Sequence, residues 1–186
     1  MSNVTTPRAT FDDLYRTEGK AELIGGRIVQ FMASGHLPSR VASRIYRRLD
    51  EYAEARNKGH AYGDGIGFAV AELTSGRESF SPDASFYDGP LPANLMRFIE
   101  GPPKLAVEVR SEFDYSPSAD LEMQAKRADY FEAGTQVVWD VDPKAECIHV
   151  YRADKPDQAV TYRRGAAAEA EPAVPGWRVS VDWIFS

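Results

Sequence analysis

Cysteine is nearly absent from the chain. Its single thiol, Cys147, excludes an intrachain disulfide and any multi-thiolate zinc site, and it suits a reducing compartment. Long apolar runs are missing too. Nothing approaches the roughly 18 residues of a membrane span, and Met1-Ser2-Asn3-Val4-Thr5-Thr6-Pro7 has no apolar leader core, so a cytoplasmic protein without membrane contact is expected. Histidine is scarce: His36, His60 and His149 stand alone, without ligand-spaced partners, and are read as core or surface residues. Positive charge is in deficit. Twenty-two Lys and Arg against 28 Asp and Glu leave a net charge of −6, which excludes attachment to nucleic acid by bulk attraction. A local basic stripe, or a carboxylate site that meets phosphate through a metal, stays open.

What remains is an ordinary globule, with 43% apolar and 27% charged residues in 186. Composition and length together predict one domain, with residues 1–9 and the Ala/Glu-rich 164–176 loose. Thr10 with Asp13 resembles a capping box for a short helix through Phe11, Leu14 and Tyr15. Ala21–Ile24 and Arg27–Met32, joined by Gly25-Gly26, read as a hairpin. Pro38 to about Asn57 is the clearest helix, with Val41, Ile45, Leu49 and Tyr52 along one face.

Two extended stretches, 60–73 and 77–87, follow, and Gly63, Gly65 and Gly67 alternate as on one strand face. Residues 88–103 hold four of the twelve prolines and read as a loop or short helix. Lys104–Arg110 reads as a buried central strand. Ser118–Ala133 is a second helix, closed by Gly134, with Leu121, Ala125, Ala128 and Phe131 as its inner face. Strands at 136–141 and 147–152 follow, then a short one near 160–162 and a terminal segment from Trp177 to Phe185. Strand, helix, strand across 104–141 fits a parallel crossover. The fold class is α/β, a mixed central sheet flanked by helices, with an N-terminal hairpin.

Glu108 is the residue that draws attention. It interrupts Leu105-Ala106-Val107-Glu108-Val109, and a carboxylate in a sheet interior is costly unless it is paired or binds a metal. It faces solvent, forms a structural ion pair, or lines a site; the residue alone does not decide. Asp83, in Ser81-Pro82-Asp83, opens a β-prone segment at a sheet margin, and by itself is equally well a turn residue. Arg40, Arg44, Arg47 and Arg48 run along the first long helix. They contact a nucleic-acid backbone or form a solvated flank, and the acidic balance favours the flank.

Pro82-Asp83, then Glu108-Val109-Arg110 and Lys126, resemble the PD-(D/E)XK nuclease superfamily. Further pieces resemble one branch of it, the Uma family of restriction endonucleases. They are Ala21–Val29, Ser81-Pro82-Asp83, Leu105–Ser111, Gln124-Ala125-Lys126 with Tyr130, Ala133 and Gly134, and Val138–Pro143. Together they cover residues 10 to 151. The resemblance implies a restriction-endonuclease-like fold and hydrolysis of DNA phosphodiester bonds. It implies Asp83 and Glu108 as catalytic metal ligands for Mg²⁺ or Mn²⁺, with the Val109 carbonyl as a third donor. Glu22 would be an outer ligand or orient water, and Lys126 would stabilise attacking hydroxide or developing charge.

The superfamily pattern has lysine where Arg110 stands, and arginine is a fixed fork rather than a movable point charge. Lys126 is therefore favoured as the catalytic cation, and Arg110 either clamps phosphate or pairs with Glu108. A homodimer is compatible with the resemblance, because related nucleases pair two sites. The alternative is an inactive protein that keeps the nuclease scaffold for binding or assembly.

Overall fold

Thr10 caps α1 (Phe11–Tyr15) by reciprocal bonds with Asp13, as its spacing predicts. The structure, a computed structural model, describes residues 7–186. Residues 1–6 of the stretch expected to be loose lie outside the described residues. Its last two residues are held: Ala9 donates to the Gly26 carbonyl at 2.9 Å, and Arg8 meets Glu72 at 2.7 Å. β1 (Ala21–Ile24) and β2 (Arg27–Gln30) form the hairpin. Gly25 and Gly26, at φ 59° and 69°, supply the left-handed pair its turn needs.

α2 (His36–Arg56) starts two residues before Pro38 and ends on Asn57 in the left-handed region. It buries Val41, Ala42, Ile45, Leu49 and Ala53, the face its spacing predicts. The next stretches are more broken than expected. β3 (His60–Gly63), β4 (Phe68–Ala69), β5 (Ser79–Phe80) and β6 (Ala84–Tyr87) are short. Gly65 turns the chain at φ 99°, so the three alternating glycines do not share a strand face. A strand needs negative φ throughout, and a glycine at positive φ ends it. Within 88–103 the regular element is β7 (Ile99–Glu100), paired with β4.

β8 (Leu105–Val109), α3 (Pro117–Ala133) and β9 (Val137–Asp142) form the parallel crossover. β10 (Cys147–Arg152) and β11 (Lys155–Arg163) complete a six-stranded mixed sheet in the order β11-β10-β9-β8-β6-β3. Alternation along β8 and β9 divides the core. Leu105, Val107, Val109, Val137, Trp139 and Val141 meet α2, while Ala106 and Val138 join Tyr130 of α3 on the other face.

Segment 164–176 is not loose. β12 (Ala167–Glu169) pairs with β13 (Arg178–Ser180), and Ala168, Ala170, Ala173 and Val174 are buried in the α2-side core. Small side chains here fit against the sheet rather than mark low complexity. α4 (Val181–Ile184) follows. No helix of the described residues is long and apolar enough to cross a membrane.

The inner face of α3 also differs from its apolar spacing. Leu121 is 67% exposed, and Ala125 and Ala128 are exposed, while Phe131 of the expected face does pack against the core. The helix instead turns Lys126, Asp129 and Tyr130 inward, at the spacing of one helical face. It does so because the sheet surface beneath it carries buried carboxylates.

Candidate active site

Period-two alternation puts Glu108 on the α3 side of β8, 7% exposed. Its Oε1 accepts from the Tyr130 hydroxyl at 2.7 Å and from Lys126 Nζ at 2.8 Å. Oε2 accepts no hydrogen bond among the described residues. Lys126 also reaches Glu22 Oε1 at 3.2 Å. Glu22, wholly buried on β1, accepts from the Ser81 N–H at 2.9 Å and pairs with Arg77. Arg77 in turn donates to Asp129 at 2.8 Å. One lysine and one arginine thus stitch the hairpin, β8 and α3 together through three buried acids.

Asp83, one residue before β6, is tied to the next residue of β8. Its N–H donates to the Val107 carbonyl at 3.0 Å, and its Oδ2 accepts from the Val109 N–H at 2.8 Å. The Val109 N–H and carbonyl point to one edge of the strand, so that carbonyl shares the Asp83 side. Lys20 lies on Asp83 Oδ1 at 2.8 Å and on Asp64 at 2.7 Å. A cavity of about 60 Å³, lined by Asp83, Asp64, Gly63, Tyr46 and serines of α2 and its approach, opens beside them.

The electrostatics sort these groups. Burial pushes the Glu108 carboxyl up; Lys126 opposes it, Asp83 and Glu22 add to it, and the result lies above the usual carboxylate range. Burial would also raise Glu22, but Lys126 and Arg77, helped by the Ser81 N–H, overcome it and hold Glu22 low. Burial disfavours the Lys126 ammonium, yet Glu108 and Glu22 more than offset that, and the group is pushed up from the ordinary lysine value. Lys20 is likewise raised against its burial, by Asp83 and Glu108. The Tyr130 phenol is pushed well up, first by burial and then by Glu108. Two acids of one cluster are thereby driven in opposite directions, a pattern that marks functional sites.

Of the residues singled out from the sequence, Asp83, Glu108, Val109, Lys126 and Glu22 come together. Arg110 does not pair with Glu108. Its fork takes Asp140 in two bonds of 2.8 Å and Asp120 in a third, because Asp140 is the cross-strand neighbour of Glu108. Arg44 bonds the carbonyls of Trp183 and Ile184 and the Ser186 hydroxyl, while Arg40 and Arg47 stay exposed on α2. Sequence reasoning missed Lys20, Asp64, Arg77 and Asp129, and gave Tyr130 a place in the family resemblance but no role at Glu108. One signal was available: Lys126, Asp129 and Tyr130 are spaced i, i+3, i+4.

Against a divalent ion the donors fit in kind. Two carboxylates and a carbonyl are hard oxygen ligands of the sort Mg²⁺ takes, and Glu108 Oε2 is free to bind. Among the described residues no three His, Cys, Asp or Glu side chains converge to enclose a metal, so water and substrate would complete the shell.

A family model described as "Putative restriction endonuclease", Uma2, matches residues 8–182. The chain belongs to the Uma2 family. A crystal structure from Anabaena variabilis ATCC 29413, described as a "putative nuclease belonging to DUF820", superposes with a TM-score of 0.72. It is 19% identical, over 95% of this chain and 97% of that one, and this likeness bears on the fold. Comparison with curated proteins finds no match.

Proposed function

We propose that this Uma2 protein is a metal-dependent endonuclease that hydrolyses DNA phosphodiester bonds. The observation that carries the reading is Glu108, a buried acid with one oxygen free, set beside Asp83 and paired with Lys126 at 2.8 Å. Asp83, Glu108 and the Val109 carbonyl would hold Mg²⁺ or Mn²⁺. Such an ion lowers the pKa of bound water and neutralises charge developing on a phosphate. Glu108 and Glu22 favour the ammonium form of Lys126. It places a positive charge where negative charge accumulates. Tyr130 donates to Glu108 Oε1 and so leaves Oε2 to face the ion. Glu22 fixes Lys126 from the other side and sits too deep to touch substrate.

The test is cleavage of plasmid and single-stranded DNA with Mg²⁺ or Mn²⁺, comparing wild type with Asp83→Ala and Glu108→Ala. Loss of cutting in both variants supports the reading, and equal cutting by all three marks a contaminant. The Lys20 bridge to Asp83 favours a second reading, a nuclease scaffold that binds without turnover. Saturable Mn²⁺ binding that Glu108→Ala abolishes speaks for the enzyme, and binding indifferent to that change for the scaffold.

A further inference from the structure

Three serines connect two hollows. Ser34, Ser39 and Ser43 line the small cavity that ends on Asp83, and they also line an open groove of about 600 Å³. The far wall of that groove is Arg40, Arg44, Arg47 and Trp183. An acid-lined cavity and a basic groove therefore share one floor.

The three arginines differ in what they have left to offer. Arg44 commits its Nη1 to the C-terminal turn, at 2.6 Å from the Trp183 carbonyl and from the Ser186 hydroxyl. Arg40 has no carboxylate partner among the described residues. Arg47 has Glu51 at 3.4 Å on the exposed helix surface, a pair of small worth. Residues 40, 44 and 47 are spaced four and three apart and so form one stripe. From first to last the stripe runs about 10 Å along the helix, roughly three base-pair rises of about 3.4 Å along a duplex axis.

Resting on the nuclease reading above, we propose that this groove is the track for the substrate's sugar-phosphate backbone beside the scissile bond. Arg40 and Arg47 contact its phosphates, and Arg44 is a positioning residue that pins the Trp183 turn as the groove's wall. An acidic protein needs such a local track, since its remaining surface repels the polyanion. The track leads past the serines to Asp83, whose carboxylate is tied to the Val109 N–H, the residue after Glu108.

The experiment is fluorescence anisotropy of a labelled oligonucleotide, single-stranded and duplex, in EDTA so that no turnover intervenes. Arg40→Glu/Arg47→Glu is expected to weaken binding of at least one form tenfold or more. The slope of log K against log salt should flatten by roughly 1.5, the loss of two phosphate contacts. Arg40→Gln/Arg47→Gln, milder on the fold, should give a smaller loss of the same kind. A charge-matched control outside the groove, Arg27→Glu/Arg163→Glu, should stay within about twofold of wild type.

Unchanged affinity for both forms in the groove variants overturns the track, and so does an equal loss in the control. Failure of the underlying reading looks different. A wild type that binds through these arginines but cuts no DNA with any divalent ion keeps the track and loses the nuclease.

Discussion

Ionised Glu108 is disfavoured by its burial, supported by Lys126, and disfavoured again by Asp83 and Glu22. A carboxyl raised above its ordinary 4.5 stabilises the fold while protonated; that contribution is present below 4.5 and lost as pH rises through the raised value. Glu22 has the opposite sign. Held low, it contributes stability above 4.5 that is lost as pH falls through its depressed value. Glu108→Gln should therefore leave the melting temperature at pH 7 unchanged or higher. Cleavage should fall by more than the roughly 100-fold that loss of an outer-shell partner costs. Glu22→Gln should lower the melting temperature at pH 7, and the difference should vanish in acid; a gap that persists in acid would contradict the sign. Lys126→Met strands two buried acids and should cost about 3–5 kcal/mol in denaturant unfolding. Lys20 competes for Asp83 Oδ1, so Lys20→Met should tighten Mn²⁺ binding in a direct titration. Weaker binding would show that Lys20 supports the site instead.

At the scale of elements, α3 shows what sequence spacing reveals and what it hides. Its existence, and its end at Gly134, were legible because helix formers and a C-terminal glycine act locally. Its inward face was not, because Leu121, Ala125 and Ala128 looked like a core stripe while the buried stripe is Lys126, Asp129 and Tyr130. Periodicity assumes that the inside is apolar, and here the inside is an ion network. Leu121→Gln should accordingly change stability by less than about 0.5 kcal/mol. Asp129→Ala, which leaves the buried Arg77 with Glu22 as its one carboxylate partner, should cost about 1–3 kcal/mol. The reverse ranking in thermal melts would restore the apolar-stripe reading. The hairpin, α2 and β8 were legible for the same local reasons as α3. Arg77 and Lys20 were not, since their partners lie 44 to 63 residues away and only the tertiary fold brings them near.

Across the whole molecule the sheet separates the larger apolar core from the ion network. One face carries the larger apolar core with α2, β12, β13 and α4, and the other carries the ion network under α3. Trp177 closes the first face, buried and stacked on Trp139 at 5.2 Å, and Trp139 sits opposite Val107 on β9, one residue from Glu108 but pointing the other way. Removing a buried aromatic of this size costs about 3–5 kcal/mol, which in a chain of this length lowers the melting temperature by on the order of 10 °C. Trp177→Ala should show that loss and yet, measured well below its melting temperature, bind Mn²⁺ with the affinity of wild type. The cavity opens on the α2 side of the sheet, and the β8 backbone between the faces stays paired with β6 and β9. If the affinity fell along with the melting temperature, the two faces would be mechanically coupled through β8, and the acid cluster would depend on the C-terminal cover for its shape.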